Sequence, residues 1–140
     1  MQIEIINPDP RVNADLFHKG IQVVFKGEHK AAEVVNVICM DHDELRALKK
    51  EYFGLDVYTD VIAFNLNDPA EAIDGEIYLS VDQIEQNSVL YKTELQNELV
   101  RVLIHGCLHL CGYEDNSPQL KAEMTALEDR YMAEIGIQES

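Results

Sequence analysis

The sequence predicts one α+β domain over residues 1–140, with about four strands in a mixed sheet packed against four to five helices. Three observations carry that expectation. Four short β-rich runs are interspersed with helix-starting signals. One stretch, 99–111, is apolar almost all round a helix apart from Arg101 and two histidines, which marks a buried central helix. A chain of 140 residues suits one domain, and at that size roughly 68–70% of the unfolded surface is buried. The composition, 46% hydrophobic and 26% charged, is that of a globular chain rather than a disordered one.

Residues 1–6 alternate, with Ile3 and Ile5 on one side, and read as a short strand ended by Pro8 and Pro10. Residues 14–26 are ambiguous. Leu16, Phe17, Ile21, Val24 and Phe25 fit a helical face, whereas Gly20 and the β-branched residues argue against a helix. The run from Val34 to Met40 reads as a buried strand. Asp41 can cap a helix over 42–52 with Leu45, Leu48 and Tyr52 inward, and Gly54 stops it. Thr59–Phe64 and Glu76–Leu79 read as two strands of a hairpin joined by a long turn-rich loop. Ser80 starts a short helix reaching about Gln86. Thr93 and Gln96 form a capping box that opens the buried helix. Ser117 and Pro118 open the last helix, with Leu120, Met124, Leu127 and Tyr131 as its inner stripe.

Acidic residues outnumber basic ones 26 to 11, for a formal charge of −15. Between Glu51 and Tyr91 there are nine Asp or Glu and no Lys or Arg. Such a chain does not grip nucleic acid non-specifically, because that binding runs on Lys and Arg neutralising phosphates. An RNA substrate therefore requires a metal ion and local basic residues, and DNA is not an expected partner. No apolar run reaches the ~18 residues of a membrane span, and the start lacks the basic region of a secretory signal. The expected location is the cytoplasm, with no membrane partner. Cys39, Cys107 and Cys111 are an odd set at low density and read as reduced, buried thiols.

The chemistry lies in the segment from Glu98 to Asp115. His105 and His109 are four residues apart and so share one face of a helix. Unpaired buried polar groups cost about 1–3 kcal/mol each, and one coordinated Zn²⁺ satisfies both imidazoles. Gly112 is the residue type that ends a helix in the left-handed conformation, and a chain turned back there returns Asp115 toward the histidines. His105, His109 and Asp115 then make three protein ligands, leaving the fourth position of a catalytic zinc site for water. A shift of the third ligand to Glu114 or Asn116 stays open. Gly106 follows the first histidine where metalloproteases carry their general base, so peptide hydrolysis by that route is not expected. The zinc-deaminase pattern is absent too. His18, His29 and His42 read as surface residues.

The run His105-Gly106-Cys107-Leu108-His109-Leu110-Cys111-Gly112-Tyr113 resembles the signature of the YbeY endoribonucleases. Thr59–Phe64 and Gly75–Ser80 resemble that family's second and third motifs, in the same order and spacing, and the likeness covers roughly 33–132. The resemblance implies a zinc-dependent hydrolase of single-stranded RNA, acting in ribosomal RNA maturation and ribosome quality control, with ribosomal RNA, ribosomal subunits or ribosomal proteins as partners. The family's third histidine is replaced by Asp115, its arginine before the Thr-Asp motif by Phe53, and its serine in that motif by Ala63. Arg101, one turn before His105, is the candidate to supply the missing positive charge, which makes Arg101, His105 and His109 the expected catalytic set. A pairing of Arg101 with a carboxylate such as Glu98 is the competing reading. Asp60 and Glu76 are expected to support the site rather than act as its base. The alternatives to a nuclease are a non-catalytic zinc-binding ribosome-assembly factor and a metal-dependent hydrolase of another substrate.

Overall fold

The architecture is set by one long helix laid across a four-stranded sheet. The computed structural model describes residues 1–137. In chain order the elements are β1 (Gln2–Ile6), α1 (Ala14–Gly27), β2 (Ala32–Cys39), α2 (His42–Phe53), β3 (Val61–Asn65), β4 (Ile73–Leu79), α3 (Val81–Tyr91), α4 (Leu95–Leu110) and α5 (Pro118–Glu134). The sheet order is β1-β2-β4-β3. β1 and β4 both run parallel to β2, while β3 pairs antiparallel with β4, so the sheet is mixed and the expected α+β class holds.

Alternation along the strands fixes which face is covered. Val35, Val37 and Cys39 of β2, and Ile73, Ile77 and Leu79 of β4, are buried, as a period of two requires for one packed face. The other layer is α4. Leu99, Leu103, Ile104, Cys107 and Leu108 are all fully buried, and the helix packs on α1, α3, α5, β3 and β4. Gly106 lets it lie close to the sheet. A β-carbon there would stand 3.0 Å from Ile77 Cγ2 and 3.3 Å from Val61 Cγ2.

The ambiguous segment 14–26 is helical. Phe17, Ile21, Val24 and Phe25 point into the core, and Gly20 faces Leu103 and Ile104 of α4. Burial of this face outweighs the roughly 1 kcal/mol cost of a helical glycine. The hairpin forms as expected, and the Asn65 side chain accepts from the Asn67 and Asp74 amides at its loop end.

Four details depart from the sequence expectation. Tyr52 is exposed and only Leu45 of α2 is fully buried, because α2 packs on little besides α3 and β3. α3 runs on to Tyr91, where Lys92 in the left-handed conformation caps it. The capping box at Thr93 does not form. Glu94 is the N-cap, without a side-chain cap bond, and the Gln96 amide instead donates to the Arg11 carbonyl. On α5 the buried positions are Met124, Glu128, Tyr131 and Met132, with Leu120 and Leu127 only partly covered.

Candidate metal centre

Because the apolar residues of α4 fix its rotation, the face carrying His105 and His109 is left looking into a cavity. That cavity is about 430 Å³ and is walled by α4, the start of β3, the end of α2 and the loop after α4. The two imidazoles are partly exposed, at 24% and 29% of their side-chain surface. The expected chain reversal at Gly112 occurs with φ +104°. The Gly112 amide bonds to the His109 carbonyl and the Tyr113 amide to that of Leu108, the paired bonds of a Schellman ending. This turn brings Asp115 back over the helix.

His105 Nε2 lies 3.0 Å from His109 Nε2 and 3.2 Å from Asp115 Oδ2, and the third side of the triangle is 3.7 Å. Ligands at about 2.0–2.1 Å around a tetrahedral ion stand about 3.3 Å apart, so the triangle fits one ion. Among the described residues, this is the group of His, Cys, Asp or Glu whose donor atoms converge in this way. Glu114 also lines the cavity.

The hydrogen bonds on the far side of each ring decide the tautomers. His109 Nδ1 lies 2.9 Å from the Tyr113 carbonyl. A carbonyl only accepts, so Nδ1 carries the proton and Nε2 keeps its lone pair. His105 Nδ1 donates in the same way to Glu128 Oε2 at 2.7 Å. Two lone pairs therefore meet across 3.0 Å, an arrangement that a proton or a cation between them stabilises. This is the feature of the chain that asks for a metal. Burial alone would lower the His105 pKa. The hydrogen bond and charge of Glu128, with Asp115 and Asp60 beyond, carry it above the usual histidine value. Asp60 lines the same cavity, and burial raises its carboxyl pKa, offset in part by His105 and by a bond from Asn87.

Glu128 was invisible to the functional reading of the sequence. It is buried at 6% exposure, and its second oxygen accepts from Arg101 Nη1 at 3.2 Å. Arg101 also bonds Asp129 at 2.6 Å and lies outside the residues that wall the cavity. The available signal was a carboxylate on the inner stripe of α5, four residues after Met124 and three before Tyr131. Glu28 was also missed, and no local signal marks it. Its carboxylate accepts from the hydroxyls of Tyr113, at 2.5 Å, and of Tyr131, which pins the loop whose carbonyl holds His109.

The remaining candidates lie elsewhere. Glu76 accepts from the Tyr78 hydroxyl. His29 is exposed, and His18 and His42 are partly covered. The three cysteines are free thiols, with Cys39 and Cys107 buried and Cys111 partly covered. Cys107 and Cys111 belong to the apolar side of α4 and its end, packed in or against the core.

The family model described as endoribonuclease YbeY matches residues 2–136. The chain belongs to the YbeY family. A relative named endoribonuclease YbeY from Chloroherpeton thalassium is 41% identical over 117 residues, which is 84% of this chain and 82% of that one. Another of the same name, from Chlorobium phaeobacteroides, is 36% identical over 136 residues, covering 96% and 98%. A Thermotoga maritima protein determined in solution superposes with a TM-score of 0.65 at 29% identity, over 96% of this chain and 91% of that one. The YbeY fold is thus present over nearly the whole described chain, and Asp115 stands in the group of side chains that could hold a metal ion.

Proposed function

We propose that this protein is an endoribonuclease that cuts single-stranded RNA with one Zn²⁺ held by His105, His109 and Asp115, and that it matures ribosomal RNA in the cytoplasm. The observation that supports this most directly is the convergence of two imidazole lone pairs and a carboxylate on one point of an open cavity, in a chain of the YbeY family. When bound, the ion supplies a Lewis acid that polarises a phosphoryl oxygen and acidifies water.

The protein's own groups set up that chemistry. Glu128 holds the proton on His105 Nδ1 and the Tyr113 carbonyl holds that on His109 Nδ1, so each Nε2 is presented as a donor in a fixed orientation. Arg101 acts through Glu128, whose carboxylate it anchors from behind. Asp60 lines the same cavity and adds to the negative field that favours a cation there. Lys49, on the cavity rim, is the basic side chain positioned to meet a phosphate. A duplex presents its scissile phosphate on a wide rigid cylinder, whereas a single strand can enter a recess of this size.

The test compares a labelled RNA strand alone and annealed to its complement. The single strand is cut, cutting stops with a chelator and returns with Zn²⁺, and the duplex is spared. A 2′,3′-cyclic phosphate at the product ends would assign attack to the RNA 2′-hydroxyl, and a linear phosphate to water. Equal cutting in the presence of the chelator would overturn the metal-dependent reading.

A further inference from the structure

The cavity has a second chemical feature that the metal centre leaves unused. Phe53, the last residue of α2, is 49% exposed on the same cavity wall as His105 and Asp115. Its ring lies 15° from parallel to that of Phe64 on β3, with centroids 5.9 Å apart. Tyr52 packs edge-on against Phe64 from the side, at 5.3 Å. Gly54, with φ +70°, ends α2 directly after Phe53, so the ring is anchored by a terminated helix below and an aromatic neighbour beside it. We propose that Phe53, backed by Phe64 and Tyr52, is a stacking subsite for one nucleobase of the RNA next to the bond that is cut. This rests on the reading of the protein as a nuclease of single-stranded RNA.

The charge distribution explains why such a contact is needed. Asp60, Glu114 and Asp115 line the cavity beside the two histidines, and Lys49 is the one Lys or Arg among its described lining residues, in a chain of formal charge −15. Phosphate attraction, the usual source of RNA affinity, is therefore weak here. Base stacking on an aromatic ring carries no charge requirement and accepts any base. Lys49 Nζ rests 4.5 Å from the centre of the Phe53 ring. Stacking of a base outweighs an exposed ammonium–ring contact, so an incoming base displaces the ammonium and frees it for the adjoining phosphate. A base already paired in a duplex cannot reach the ring without being unstacked, which selects single strands.

Steady-state kinetics on a short single-stranded RNA test this, with Phe53→Ala, Phe53→Leu and Phe53→Trp beside wild type. The RNA is used intact and with an abasic residue at each position around the cut in turn. The expected result is a KM raised about ten-fold in F53A, the scale of one lost base–aromatic contact, with kcat unchanged. F53L keeps apolar bulk without a flat face and behaves like F53A, while F53W restores the wild-type KM. One abasic position raises the wild-type KM by the same factor and adds nothing to that of F53A. The proposal is overturned if wild type cuts RNA and F53A has the same KM, or if abasic and F53A effects add at every position. Wild type that cuts no RNA would overturn the nuclease reading and this subsite with it.

Discussion

Replacing Glu128 by glutamine tests the support beneath the metal centre. The carboxylate accepts a charge-assisted bond from His105 Nδ1 at 2.7 Å and another from Arg101 Nη1 at 3.2 Å, in a site only 6% exposed. Glutamine has the same shape but no charge and one oxygen, so its amide N–H₂ must face one of two donors. One charge-assisted bond is lost, worth about 1.5–3 kcal/mol. A value near 2 kcal/mol corresponds to about 30-fold in an equilibrium constant. That lies within the 10–100-fold loss of metal affinity typical when the partner of a ligating histidine is removed. Breaking a buried pair outright costs about 3–5 kcal/mol. Here Arg101 keeps Asp129 at 2.6 Å, so the stability loss should stay near 2 kcal/mol and the protein should fold. Zinc affinity is read by competition with a chromogenic chelator, and stability by thermal unfolding of the metal-free form. Metal affinity equal to wild type in a folded Glu128→Gln protein would refute the claim that this carboxylate orients His105.

Three further outcomes follow from the same geometry. The metal-free protein holds the His105 pKa above its usual 6.5. That contribution to stability is fully present below about 6.5 and fades as pH rises through the raised value. Metal binding has the opposite sign, since the proton must leave, so the rise in melting temperature on adding zinc should grow with pH across that range. Gly112→Ala forces a β-carbon onto a backbone with φ +104°, at a cost of about 1–2 kcal/mol. By moving the Tyr113 carbonyl and Asp115 it should also lower bound zinc, measured by elemental analysis. Cys107→Ala with Cys111→Ala should leave zinc content unchanged, since Cys107 is packed in the core. Burial drives the Cys107 thiol pKa well up and that of Cys111 to about 12, so native protein should react slowly with iodoacetamide.

The parts of the fold legible in the sequence are those whose signals are local. The apolar run of α4, the Asn67-Asp68-Pro69 turn of the hairpin loop and the Ser117-Pro118 start each act within a few residues. The capping box at Thr93 failed because the Thr93 amide donates to the Ser88 carbonyl and the Gln96 side chain turns to the distant Arg11 carbonyl. The helix at 14–26 could not be separated from a strand because Gly20 is explained only by α4, more than 80 residues later. Tyr52 has the spacing of an inward residue, but α2 has too little packed against it to bury that face. In the candidate site, His105, His109 and Asp115 could be grouped from spacing and one glycine turn. Their supports could not be, since Glu128 reaches His105 from α5 and Glu28 holds the Tyr113 hydroxyl from beyond α1. Arg101 illustrates the same limit. Its place one turn before His105 was visible, but not that Glu128 and Asp129 hold its guanidinium.

If the metal cluster cuts RNA, removing one of its ligands removes cleavage and zinc together. Wild type and His105→Ala, purified identically, should be assayed on one single-stranded RNA with zinc content measured on the same samples. One zinc per wild-type chain with cleavage, and loss of both in the variant, is the expected result. Zinc bound to wild type without cleavage would contradict it and favour an assembly factor whose metal is structural.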